Sequence, residues 1–220
     1  SQRGEFFITA TPIGNLEDIT LRALATLKRV DYIAAEDTRH TRKLLSRYDI
    51  HTPLISYHAH SSGKKERHII TMLSKGASIA LVTDSGTPGI SDPGAVLIKK
   101  AIESGVSVTP LPGACALVAA LCASGKNTSR FVFEGFLSNK SSQRRKRLGE
   151  LKEEKRTVII YESPHRIRKT LNDIYTIYGD RDIVCAREMT KKFEDIRREK
   201  VSESIHHFSS HTPKGEFVIV

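Results

Sequence analysis

At 220 residues and 24.5 kDa the chain is long enough to bury a substantial core and to form two compact lobes. Charged residues at 27 % and hydrophobic ones at 39 % exclude a disordered composition. No stretch reaches the ~18 consecutive apolar residues of a membrane span, and the opening SQRGEFFITA lacks the apolar region of a secretion signal, so a cytoplasmic protein is expected.

Residues 1–125 alternate short apolar strands with helical patterns, the signature of a mostly parallel sheet with helices on its faces. The strands fall at 5–10, 31–34, 53–57, 78–83 and 106–109, with helices between them at 20–29, 38–48, 64–75, 93–104 and 113–124. The last helix, GACALVAALCAS, is small and apolar throughout and is expected to pack closely on a sheet, with Gly125 as its C-cap. The polar stretch GKNTSR at 125–130 then marks a boundary between lobes 1–125 and 126–220. Beyond it, strands near 131–136, 156–161, 182–187, 195–199 and 215–220 alternate with helices near 141–153, 164–178 and 201–208. That density of strands predicts a mixed sheet with hairpins, giving an α/β chain of two lobes.

The net charge of +10 is uneven: 14 Lys/Arg face 11 Asp/Glu in residues 1–125, against 21 and 14 in residues 126–220. The densest run, KSSQRRKRLGELKEEKR at 140–156, contains the unbroken tetrad Arg144, Arg145, Lys146 and Arg147, a composition suited to phosphate and so to nucleic acid. Cys115, Cys122 and Cys185 lie in apolar stretches with no CxxC pair and are expected as buried free thiols, neither disulfides nor zinc ligands.

The most informative segment is LVTDSGTPGISDPG at 81–94, an apolar strand running into a loop of glycines, prolines, hydroxyls and an exposed carboxylate. Glycine permits close backbone approach and positive φ, proline fixes φ, and Asp92 followed by Pro93 reads as an N-cap and first-turn residue. TPIGN at 11–15, PLPGA at 110–114 and YESPHR at 161–166 repeat this chemistry at other strand ends, and four such loops suggest a shared ligand crevice. AEDTRHTRKLL at 35–45 places Glu36 and Asp37 where a strand gives way to a helix. Thr38 is a candidate cap there, and Arg39, His40, Arg42 and Lys43 follow.

Several familiar chemistries are disfavoured. DSGT at 84–87 matches the short aspartic-protease signature, but one copy in an α/β pattern cannot supply the paired aspartates. Walker, GxGxxG and GxSxG loops are absent. His58 and His60 stand two apart, as metal ligands on a strand can, yet no third ligand is near, and two polar residues lining a cleft is the better reading.

Taken together, TPIGNLEDITLRAL at 11–24, AEDTRHTRKLL, TDSGTPGISDPG, PLPGACALVAAL at 110–121, YESPHRI and AREMTKKFE at 186–194 resemble the RsmI-type ribosomal RNA methyltransferases, a branch of the tetrapyrrole methylase superfamily. The resemblance implies a two-lobed α/β homodimer that binds S-adenosylmethionine between its lobes. It further implies methylation of a cytidine ribose 2′-hydroxyl in small-subunit ribosomal RNA, free or within the assembled 30S subunit, with no metal. By position it assigns Pro12, Ile13 and Gly14 to one edge of the cofactor site, with Asp84, Ser85, Gly86, Thr87 and Pro88 along the amino acid and ribose part. Pro112, Gly113 and Ala114 take the next edge, and Tyr161, Glu162, Ser163, Pro164, His165, Met189, Lys214, Gly215 and Glu216 the adenine end.

Deprotonating a 2′-hydroxyl calls for a carboxylate, a histidine or a neutral lysine in hydrogen-bond reach, and Glu36, Asp37 and His58 are the candidates. Arg39, Arg42 and the tetrad 144–147 are expected to hold phosphates. Two other readings compete: carbon methylation of a precorrin, against which AEDTRHTRKLL and YESPHR speak, and a non-catalytic RNA-binding protein on the same scaffold. The resemblance departs at GEFVIV, beyond which members of the family usually continue into a small helical domain thought to help engage RNA.

Overall fold

The structure, a computed structural model, describes residues 4–58 and 63–220. Contacts divide the chain into two units, Ser1–Cys115 and Ala116–Val220.

Unit 1 runs β1 (Glu5–Thr9), a 3₁₀ turn (Leu16–Asp18), α1 (Leu21–Arg29), β2 (Tyr32–Ala35), α2 (Thr38–Arg47), β3 (Leu54–Ser56), α3 (Gly63–Ser74), β4 (Ile79–Leu81), α4 (Gly94–Glu103) and β5 (Ser107–Leu111). Its strands form one wholly parallel sheet in the order β3-β2-β4-β1-β5. The near-continuous apolar runs are explained by burial on both faces. Along β1, Phe7 packs with Ala23 and Leu27 of α1 and Leu44 and Leu45 of α2. Its neighbours Phe6 and Ile8 point the other way, among Ile69 and Leu73 of α3 and Leu97 and Ala101 of α4.

That division fixes where a ligand can sit. β1 and β4 are adjacent, but the chain leaves β1 for α1 on one face and leaves β4 for α4 on the other. The chain thus turns to opposite faces after two adjacent strands, which makes the carboxyl edge here the topological switch point of an open α/β sheet, where ligands bind in such folds.

Unit 2 contains α5 (Ala116–Ser124), β6 (Phe131–Phe136), α6 (Ser141–Glu150), β7 (Thr157–Glu162), α7 (Ile167–Tyr178), β8 (Asp182–Arg187), β9 (Asp195–Lys200), α8 (Val201–Ser210) and β10 (Phe217–Ile219). The sheet order is β6-β7-β10-β8-β9, parallel between β6 and β7 and antiparallel elsewhere, with a bulge between Phe133 and Gly135. Leu148, Ile167, Leu171, Val201 and Phe208 of α6, α7 and α8 bury one face against Ile160, Cys185, Phe217 and Ile219.

The α/β class and the parallel and mixed sheets agree with the sequence expectations, which differ from the structure in local ways. Helix α5 groups with unit 2 because it packs on β7 and β10, whereas the boundary drawn from polarity lay after it, at 125. The helix also begins three residues later than expected, leaving Pro112, Gly113 and Ala114 in a loop. Gly125 does take the left-handed conformation of a helix stop, at φ 75°. Cys185 is buried, but Cys122 is exposed and Cys115 only half-buried, so the expectation of three buried thiols holds for one. Burial pushes the Cys185 thiol up to about 12, which makes it chemically inert.

Candidate active site

At the carboxyl edge of the unit 1 sheet, four loops are tied to one another by hydrogen bonds. Thr11 and Gly86 exchange backbone bonds, Thr11 N–H to the Gly86 carbonyl at 2.9 Å and the reverse at 3.0 Å, so the TPIG loop after β1 is joined to the DSGT loop after β4. Thr11 Oγ1 adds a bond to the Thr83 carbonyl at 3.1 Å. Thr87 Oγ1 donates to the Ala114 carbonyl at 3.0 Å, which brings in the PLPGA loop. The Asp37 N–H donates to Asp84 Oδ1 at 3.1 Å, which brings in the start of α2.

Glycine is required at two of these positions. Gly86 has φ 83°, and a Cβ on Gly113 would stand 2.8 Å from Ala10 Cβ, so a side chain there would push its loop off β1. At Gly86 a Cβ would meet only ordinary contacts, Ile13 Cγ2 at 3.4 Å and the Ala114 oxygen at 3.6 Å. Gly86→Ala is therefore expected to cost only the backbone strain, about 1–2 kcal/mol in urea denaturation, together with weaker cofactor binding as the Thr11 pairing loosens.

The expected cap of α2 was Thr38; the structure gives that role to Asp37, whose Oδ1 accepts the Arg39 N–H at 2.8 Å and the His40 N–H at 3.2 Å. These backbone hydrogen bonds hold the Asp37 carboxyl below its ordinary value. Asp92 is likewise displaced from its expected place. Helix α4 starts at Gly94 with Pro93 as N-cap, and Asp92 Oδ1 accepts the Gly94 N–H at 2.8 Å and the Gly89 N–H, folding the 89–94 loop back on itself.

Glu36 has the opposite environment from its neighbour. It is half-buried, and burial, followed by the negative charges of Asp84 and Asp92, raises its pKa, with His58 opposing. His58 Nε2 lies 2.6 Å from Ser56 Oγ at the end of β3. His60 lies outside the described residues, and among the described residues no group of three His, Cys, Asp or Glu is placed to hold a metal. The strand ends thus gather Glu36, Asp84 and Asp92 beside exposed backbone and hydroxyl groups. That charge set fits a small polar cation with hydrogen-bonding groups.

Of the remaining unit 1 site residues, Pro12, Ile13 and Pro88 are buried and shape the loops, while Gly14, Asp84, Ser85, Pro112 and Gly113 are exposed on them. Thr11 and Asp92 complete the network although sequence reasoning gave neither a site role. The signals for Thr11 were its place directly after the β1 strand and at the head of TPIGN.

In unit 2 the Tyr161 ring stands edge-on to Phe133 and Phe136, with centroids at 4.8 and 5.7 Å, and its hydroxyl accepts the Leu117 N–H at 2.9 Å. Glu162 is buried, and its carboxylate holds the following turn. It accepts from Ser163 N–H at 2.8 Å and Thr170 Oγ1 at 2.6 Å and pairs with Arg166 at 3.0 Å. It therefore shapes the turn 163–166 and has no free oxygen edge for a ligand, while Ser163 and Pro164 are half-buried and His165 is exposed. Met189 is buried between two residues of positive φ, and Glu216 pairs with Lys191 at 3.0 Å beside Gly215 and the exposed Lys214.

The basic residues divide sharply. Arg39 and Arg42 are exposed on α2. Arg144 is buried: its Nε donates to Asp173 Oδ2 at 2.7 Å, with side-chain exposures of 3 % and 4 %, which takes it out of reach of any phosphate and corrects the expectation for it. Arg145 holds the other Asp173 oxygen at 2.7 Å, and Arg147 is bound by Glu134 at 2.8 Å and Glu150 at 2.9 Å. Lys146 is exposed.

Comparison with known proteins defines the class. Solved structures of the methyltransferase CobJ (TM-score 0.72, 19 % identical, covering 99 % of this chain and 93 % of that one) and of uroporphyrin-III-C-methyltransferase from Thermus thermophilus (TM-score 0.69, 16 % identical, 99 % and 94 %) share the fold. The sequence profile of the Tetrapyrrole (Corrin/Porphyrin) Methylases matches residues 5–204, and the chain belongs to that family. Within it, the relatives named "Ribosomal RNA small subunit methyltransferase I" are similar over almost the whole chain. The Synechocystis protein is 51 % identical, covering 99 % of this chain and 78 % of its own length. The Thermotoga maritima protein is 47 % identical, covering 99 % and 97 %. The chain is a member of this branch.

Proposed function

We propose that the chain is an S-adenosylmethionine-dependent methyltransferase acting on the 2′-hydroxyl of a cytidine ribose in small-subunit ribosomal RNA. Its likeness to the ribosomal RNA small subunit methyltransferases supports the substrate class. The observation that carries the chemistry is Glu36, a carboxylate of raised pKa among Asp84 and Asp92 at the carboxyl edge of the first sheet. When bound, S-adenosylmethionine supplies a methyl group on a cationic sulfur. The carboxylate cluster favours that charge, and the loops 12–14, 84–88 and 112–114 hold the cofactor through backbone and hydroxyl groups. We assign Tyr161, the turn 163–165, Met189 and residues 214–216 of unit 2 to the adenine side.

The bound cofactor would supply its methyl to the ribose oxygen and leave as the neutral thioether, and the hydroxyl proton passes to Glu36. Raised basicity suits it to that role, whereas Asp37, committed to capping α2, is the poorer acceptor and serves to anchor the loop through its bond to Asp84. Alignment of three atoms by fixed loops provides most of the acceleration. The protein acts as a homodimer in the cytoplasm on this reading; among the described residues no helix is long and apolar enough to cross a membrane.

The test is labelled-methyl transfer to small ribosomal subunits, with 2′-O-methyl mapping of their RNA in cells lacking the protein. Loss of one ribose methyl mark is expected, and an unchanged map would refute the assignment. Arg39 and Arg42 hold phosphates in this scheme. Arg39→Ala is expected to weaken RNA binding several-fold and to lower its salt slope by about one, with cofactor affinity in calorimetry unchanged. Equal loss of both affinities would remove Arg39 from the RNA side.

A further inference from the structure

Residues 188–194, which connect β8 to β9, are held more tightly than an exposed connection needs. Glu188 and Thr190 both occupy the left-handed region, at φ 49° and 69°, a conformation that side chains, and β-branched ones above all, adopt only when their surroundings enforce it. The enforcement is visible. Glu188 N–H donates to the Glu216 carbonyl at 3.0 Å, Glu216 N–H donates to Glu188 Oε1 at 2.9 Å, and Lys191 Nζ bridges the two carboxylates at 2.9 and 3.0 Å. Thr190 N–H donates to Glu194 Oε2 at 2.6 Å, and Arg187 Nη2 to the Phe193 carbonyl at 3.1 Å. Thr190 Oγ1 is, among the described residues, the one buried side-chain oxygen or nitrogen left without a partner, so local hydrogen bonding has been sacrificed to fix the turn.

What the turn presents is Phe193. At 67 % exposure it is the most exposed phenylalanine or tyrosine among the described residues, and Lys192 Nζ lies 5.6 Å from its centroid. Glu188 and Glu216 are paired with Lys191, while Glu194 keeps its charge as it accepts the Thr190 N–H; the Lys192 ammonium by the ring and Arg187 Nη2 on the Phe193 carbonyl are the cations at the tip of the turn. A rigidly presented aromatic face next to a cation matches one chemistry well, an unpaired nucleobase with its adjoining phosphate. Any base stacks on such a face, and a polyanion complements a half of the chain with 21 basic against 14 acidic residues.

We propose that Phe193 is a stacking platform for an unpaired base of the RNA substrate, with Lys192 meeting the neighbouring phosphate. The inference rests on the ribosomal RNA reading above. It adds a substrate-positioning residue on the turn that also carries Met189.

The experiment is steady-state methyl transfer to small ribosomal subunits by wild type, Phe193→Ala and Phe193→Trp, with cofactor affinity measured by calorimetry and subunit state by sedimentation. Phe193→Ala is expected to raise KM for the subunits roughly five- to a hundredfold while kcat and cofactor affinity stay unchanged, and Phe193→Trp, which keeps a stacking face, should restore KM. An unchanged KM in Phe193→Ala, or an equal loss in both variants, overturns the proposal and leaves the enzymatic reading standing. A Phe193→Ala chain that falls from dimer to monomer would assign the ring to contact with a second copy and also overturn it. Absence of transfer by the wild type would refute the enzymatic reading, and the proposal with it.

Discussion

Glu36→Gln is expected to reduce kcat by about a hundredfold or more, the range over which a positioned general base acts, with a modest loss of cofactor affinity as one carboxylate of the cluster is neutralised. The wild-type kcat/KM should rise with pH through a midpoint above the ordinary glutamate value of 4.5, because burial and the charges of Asp84 and Asp92 favour the protonated form. The variant should lose that limb of the profile. Stability should move the other way. A carboxyl whose folded pKa is raised disfavours folding as pH climbs from its unfolded value through its folded one, since the unfolded chain ionises it freely and the folded site does not. At neutral pH a neutral amide in place of this carboxylate escapes that cost, so the variant should melt no lower than wild type and slightly higher if anything. That combination, activity lost with stability kept or gained, separates a functional carboxylate from a structural one. A variant of full activity with the limb intact would pass the proton to another group, with His58, bonded to Ser56 at 2.6 Å, the next to test.

Asp173→Asn should have the largest effect on stability. The Asp173 carboxylate accepts from Arg144 and Arg145 at 2.7 Å each, inside unit 2, and the Arg144 side chain is only 3 % exposed. Removing the negative charge strands a buried guanidinium, at a cost of about 3–5 kcal/mol, read as a fall in Tm on the order of 10 °C. Replacing both partners, Arg144→Met with Asp173→Leu, should recover most of the loss, because two apolar side chains leave no buried charge uncompensated. Arg144→Ala should destabilise the fold comparably and leave RNA affinity per folded molecule unchanged. A drop in RNA affinity at unaltered Tm would return Arg144 to the phosphate-binding set.

The contrast between these two carboxylates shows what sequence can and cannot reveal. Strands and helices were legible nearly throughout, because a parallel sheet buried on both faces writes itself as unbroken apolar runs separated by amphipathic helices. The loops at the strand ends were legible from glycine and proline chemistry. Glu36 and Asp37, however, are adjacent and of the same chemical type, and only the fold distinguishes them, placing one at the amino end of α2 as a cap and the other among carboxylates from a loop some fifty positions away. Within the basic tetrad, Arg144 eluded the sequence for the same reason. Three of the tetrad's four side chains are engaged by Glu134, Glu150 and Asp173, and two of those partners lie at separations no local pattern encodes. Helix α5 was assigned to the wrong side of the boundary because an all-apolar helix has no face from which to read its neighbour.

In the second sheet, β10 is the middle strand, hydrogen-bonded to β7 on one side and β8 on the other, although its residues 217–219 come after every other strand among the described residues. A ribosome that has released the first 210 residues has supplied all the material for the first sheet and four of five strands for the second, and only the first can zip shut. The other half must wait as two unjoined pairs until its keystone emerges. Folding of this protein during synthesis is therefore staged by topology, and a chain stopped a handful of residues short of Phe217 would carry a finished first half and an open second one.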